Sequence, residues 1–67
     1  MTAIEVNGEP CTVPAGSTLA QLVESLGLAG QAIALAVNRC VVPRGAWPDI
    51  ACAPGDRIDI VRAIGGG

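Results

Sequence analysis

Ile4 and Val6 alternate with Glu5 and Asn7, the two-residue period of a strand with one buried face. Asn7-Gly8 follows directly, and both residue types accept positive φ, so the pattern predicts a type I′ hairpin. Cys11 and Val13 then alternate with Pro10 and Thr12 as the returning strand. Pro10 has no N–H for a ladder, which places that strand at a sheet edge. Pro14-Ala15-Gly16 breaks the pattern, and the period lengthens. Leu19, Leu22, Val23 and Leu26 fall at helical spacing and form one apolar stripe. Thr18 stands as the N-cap, with Gln21 three residues on to complete a capping box. Gly27 supplies the left-handed residue that ends the helix.

The two-residue period returns at Ile33, Leu35 and Val37, whose alternate positions are Ala34 and Ala36. Asn38-Arg39 is a tight turn into a short partner strand, Cys40-Val41-Val42. Pro43 to Trp47 fit a single helical turn with Pro43 at its first position, where a missing N–H costs nothing, and Pro48 stops it. Pro54-Gly55-Asp56 is a Pro-then-Gly turn. Ile58 and Ile60 alternate with Asp59 and Val61 in a last strand, and residues 64–67 leave the fold as a glycine tail. Strand, strand, helix, strand, short strand, strand is an α+β order in which one amphipathic helix packs on one face of a mixed sheet of four to five strands. The first and last strands pair in parallel at its centre. The chain reads as a single domain, 1–67, without repeats.

Composition narrows the chemistry. With 67 residues the core is thin, and a single Trp47 without Phe or Tyr means that it is built from Leu, Ile, Val and Ala. The net charge of −2 argues against nucleic-acid binding, which needs a basic face. There is no His and no Lys, so the commonest general base, the commonest metal ligand and the Schiff-base nucleophile are all missing. The chain is therefore read as a non-enzyme with no metal and no bound cofactor. Cys11, Cys40 and Cys52 are widely spaced with no CxxC, so they read as small hydrophobes in or near a reduced core rather than as a zinc or dithiol site, with a sulfur-relaying thiol as the alternative. The N-terminus lacks the basic and apolar regions of a signal peptide, and no segment is long and apolar enough to span a membrane. A cytoplasmic location is the expectation.

Gly65-Gly66-Gly67 sits directly after an apolar strand. Glycines there add little to stability, because ordering them costs backbone entropy. They do leave an arm slim enough to thread a narrow channel, ending in a carboxylate with no Cβ beside it. A carboxylate acylates poorly at neutral pH, so use of this group requires activation by another protein, typically as an acyl-adenylate made with ATP.

Over nearly its whole length the chain resembles the thiamine-biosynthesis sulfur-carrier family, ThiS. The residues that carry the likeness are the Asn7-Gly8 hairpin, Ala15-Gly16-Ser17-Thr18-Leu19, Ala34-Leu35-Ala36-Val37-Asn38, Val42-Pro43-Arg44 with Trp47, Pro54-Gly55-Asp56-Arg57-Ile58 and the Gly66-Gly67 end. The resemblance implies a ubiquitin-like β-grasp fold. It also implies that Gly67 is adenylated by an enzyme of the ubiquitin-activating type and converted to a thiocarboxylate. The sulfur comes from a persulfide made by a cysteine desulfurase and passes to thiazole synthase. In that scheme ATP and the persulfide act through the partners, and Gly65 and Gly66 thread the partner's active site. The Gly-Asp turn and Gly-Gly end are shared with the small subunit of molybdopterin synthase and with ubiquitin-like protein modifiers, which remain the alternative readings, beside an inert module of the same fold.

The strand phasing also defines a candidate docking surface. With Ile33, Leu35, Val37, Ile58 and Ile60 turned toward the helix, Ala34, Ala36, Val61 and Ala63 lie on the opposite face and lead to the tail. Exposed apolar patches of this kind mark partner sites, and this face is expected to dock on the activating enzyme and on thiazole synthase. Arg62 adds a planar guanidinium suited to a partner's carboxylate.

Overall fold

The computed structural model describes residues 1–62. Strands β1 (Thr2–Val6) and β2 (Glu9–Val13) form a hairpin, followed by helix α1 (Leu19–Ser25), then β3 (Ile33–Val37), β4 (Cys40–Val42), a 3₁₀ segment (Arg44–Asp49) and β5 (Arg57–Arg62). The five strands make one sheet in the order β2-β1-β5-β3-β4. Pairing of β1 with β5 is parallel and the other three pairings are antiparallel. The last strand thus fills the middle of the sheet, and Pro10 lies on the edge strand β2, as its missing N–H requires.

Both two-residue turns take left-handed conformations, which Asn7, Gly8 and Asn38 favour and which Arg39 adopts against its own preference. Asn7 and Gly8 have φ of 51° and 83°, and Asn38 and Arg39 have φ of 50° and 71°. The capping box at α1 is complete: Thr18 Oγ1 accepts from the Gln21 N–H at 3.2 Å, and Gln21 Oε1 accepts from the Thr18 N–H at 2.9 Å. Gly27 follows at φ 73° and ends the helix.

Leu19, Leu22 and Val23 of α1 pack on Ile4, Val13, Leu35 and Ile58, with Leu19 and Ile58 fully buried. The apolar stripe is shorter than its spacing predicts. Leu26 is the C-cap rather than a helical residue and is 40% exposed, because it lies beyond the last full turn. The segment after β4 also departs from the sequence reading. Pro43 is its N-cap, and the helix runs on through Pro48 to Asp49. Pro48 is the fifth residue of the segment and donates no bond; the turn is held on either side of it, by Ala46 N–H to the Pro43 carbonyl at 2.9 Å and Ile50 N–H to the Trp47 carbonyl at 3.4 Å. Trp47 is buried at 4% exposure and donates from Nε1 to the Val42 carbonyl at 2.9 Å, and the Arg44 guanidinium lies 4.9 Å from its ring centroid. It closes one end of the core. Among the cysteines, Cys52 is buried and Cys11 half-buried, but Cys40 is exposed at the β3–β4 turn, so only two of the three join the core. No helix among the described residues is long and apolar enough to cross a membrane.

Candidate functional site

The site is built on β5 and its neighbour β3. Their register sets Ala34 opposite Val61 and Ala36 opposite Asp59, while β4 sets Val41 opposite Ala36. Side chains alternate across a strand, so Ala34, Ala36, Val41, Asp59 and Val61 share the face away from α1. Val61 is 64% exposed and Val41 76% exposed. Together with the two alanines they form a smooth apolar strip across three strands. Beside the strip the same face carries charge: Arg57 Nε pairs with Glu5 Oε2 at 3.6 Å, and Asp59 lies next along β5. Both members of the pair are about half exposed, so water screens the attraction and it contributes little to stability. Its effect on the site is to give the face a polar half beside the apolar one.

Of the residues read from sequence as docking surface, Ala34, Ala36 and Val61 are brought together. Arg62 follows the parity of Ile58 and Ile60 and falls on the other side of the strand. Ala63 and the tail residues Gly65, Gly66 and Gly67 lie outside the described residues. Val41 was missed. The signal was present, since a two-residue turn at Asn38-Arg39 sets Val41 opposite Ala36, but the short strand was not phased.

Polar contacts fix where β5 runs. Asn38 Oδ1 accepts from the Arg57 N–H at 3.0 Å, and Asn38 Nδ2 donates to Asp56 Oδ1 at 3.2 Å. Asp56 Oδ2 in turn accepts from the Ala53 N–H at 2.8 Å. Farther along, Asn7 Oδ1 accepts from the Ile60 N–H at 2.8 Å. The two hairpin asparagines therefore clamp the strand that delivers the tail. Burial pushes the Cys52 thiol up, with lesser contributions from the Asp56 carboxylate and from neighbouring Cys11, so it is a core thiol rather than an activated one. No cluster of metal-ligating side chains occurs among the described residues. Among the described residues the site is an exposed apolar strip beside charged side chains, with no nucleophile and base placed together.

A five-stranded mixed sheet with a parallel central pair and one helix across it is the ubiquitin-like β-grasp class. The crystal structure of the thiamine biosynthesis protein ThiS from Geobacter metallireducens matches it with a TM-score of 0.84 at 26% identity, covering 98% of this chain and 100% of that one. The ThiS family model matches residues 3–67, and the chain belongs to the ThiS family. Its relatives include the sulfur carrier protein ThiS of Escherichia coli, 34% identical over 61 residues that make up 91% of this chain and 92% of that protein. They also include thiazole synthases of Magnetococcus marinus, 41% identical over 64 residues, and of Paramagnetospirillum magneticum, 34% identical over 62. The matches cover 96% and 92% of this chain but only 20% and 19% of those synthases, so the chain spans about a fifth of their length.

Proposed function

We propose that this protein is the sulfur carrier for assembly of the thiazole ring of thiamine. The observation that carries the reading is the family match through residue 67, which includes the glycine end, on a scaffold whose central strand leads into that end. The names of the relatives, a sulfur carrier and two thiazole synthases, favour this pathway over molybdopterin synthesis or protein modification. With Gly67 as the terminal residue, a carboxylate oxygen attacks the α-phosphorus of ATP on an activating enzyme, and pyrophosphate leaves. The terminal sulfur of a persulfide, made by a cysteine desulfurase, then displaces AMP from the acyl carbon. Thiol-dependent cleavage of the remaining S–S bond leaves a thiocarboxylate, which thiazole synthase consumes. Besides the reacting Gly67 carboxylate, the carrier supplies shape: a slim Gly65-Gly66 arm that passes through a water-excluding channel, and a face that docks.

The strip of Ala34, Ala36, Val41 and Val61 docks on the activating enzyme. Val61 is exposed, so Val61→Asp leaves the fold intact, as circular dichroism would check. It should abolish ATP–pyrophosphate exchange catalysed by that enzyme, as should deletion of Gly66 and Gly67. Normal exchange in the tail deletion would refute the carrier reading, and normal exchange in Val61→Asp would refute the docking face alone.

A further inference from the structure

The parallel pairing of β1 with β5 covers only Glu5 with Arg57 and Val6 with Ile58, because β1 turns away at Asn7-Gly8 while β5 continues to Arg62. The backbone direction of each β5 residue follows from its bonds. Ile58 C=O accepts from the Asn7 N–H at 2.9 Å, on the β1 side, whereas Arg57 C=O accepts from the Asn38 N–H at 2.8 Å, on the β3 side. By alternation, Ile60 and Arg62 direct their backbone groups to the β1 side. The Ile60 N–H is met by the Asn7 side chain. Beyond it, the Ile60 C=O and both backbone groups of Arg62 face a side where no described strand runs. The centre of the sheet thus carries a short open edge, immediately before the tail.

A second feature lies beside this edge. A crevice of about 350 Å³ opens between the β1–β2 hairpin and the end of α1, lined by the apolar Val6, Pro10, Cys11, Leu26, Leu28 and Ile60 together with the polar Asn7 and Glu9. Ile60 belongs to both features. A strand laid along the open edge would direct every second side chain toward α1, into this crevice. Main-chain bonds along an edge and a pocket for alternate side chains are the two parts of strand addition. The occupant follows from reach. With Gly67 as the terminal residue, five residues follow Arg62, and an extended chain of that length spans about 17 Å at most. A protein that takes the Gly67 carboxylate into its active site must therefore lie against the end of β5.

We propose that this edge accepts an extended segment of thiazole synthase, which adds to the sheet beside Ile60 and Arg62 and places an apolar side chain in the crevice. The proposal rests on the carrier reading. Its test is the binding of the full-length protein to purified thiazole synthase, by calorimetry and by backbone hydrogen exchange. In the unmutated protein, complex formation should slow exchange at the Arg62 amide. Arg62→Pro removes that donor without touching the β3 ladder and should weaken binding about tenfold beyond Arg62→Ala, the loss of roughly one hydrogen bond. Leu26→Asp, at a half-exposed position, should weaken it to a similar degree through the crevice. Binding with an unprotected Arg62 amide, or equal affinities for Arg62→Pro and Arg62→Ala, would overturn the edge proposal and leave the carrier reading standing. Failure of the unmutated protein to bind the synthase would also overturn it. The carrier reading is then judged separately, by thiocarboxylate formation on the activating enzyme, where the synthase is absent.

Discussion

At the scale of single residues, stability rests on a few fully buried side chains. Ile58 has no exposed surface and sits on the central strand, touching both the helix and the hairpin layer. Ile58→Ala leaves a cavity that so small a core cannot refill, and should cost about 2–4 kcal/mol in urea unfolding. A loss below about 1 kcal/mol would show that the core collapses around the site. Cys52 makes a separate prediction. Its thiol is held above the ordinary range by burial and then by Asp56 and Cys11. The unfolded chain therefore gives up this proton at lower pH than the folded chain does. Stability from this group is intact below the ordinary thiol value, near pH 8.5, and declines as pH rises through and above it. Cys52→Ala should flatten that alkaline decline in thermal melts, and an unchanged slope would assign it to other groups.

At the scale of elements, turns and caps do much to set the geometry of the site. Asn7 both makes the hairpin, at φ 51°, and caps the Ile60 N–H that β1 no longer reaches. Asn7→Gly keeps the turn but removes the cap and should cost about 1 kcal/mol, while Asn7→Asp, which retains an acceptor, should cost less. Equal losses for the two would place the effect in the turn. The cap, like the Asn38 clamp, was hidden from sequence because it joins residues that are far apart in the chain. Local signals were legible: Asn7-Gly8, the Thr18–Gln21 box, Gly27 and the alternation of Ile33 to Val37 each specified the structure found. Two local readings shifted. Leu26 has helical spacing but stands past the last turn, and Pro48 sits inside a 3₁₀ segment that is held by bonds from Ala46 and Ile50 on either side of it. The inward and outward phasing of β3 and β5 was readable because large and small residues alternate. Cys40-Val41-Val42 has no such contrast, so its contribution of Val41 to the outer strip needed the register.

At the scale of the molecule, the arrangement converges on the last strand. It is central in the sheet, its inner face holds the core, its outer face carries Val61, and its end leads to the glycines. In the proposed reading, a strand so held is a rigid base for the glycine arm. The most direct test of the central claim is the intact mass of the protein after incubation with an activating enzyme, ATP and a persulfide source. The account predicts a gain equal to the exchange of one oxygen for sulfur, located by fragmentation at Gly67. An unchanged mass, with the same enzyme shown to be competent on another carrier, would contradict it.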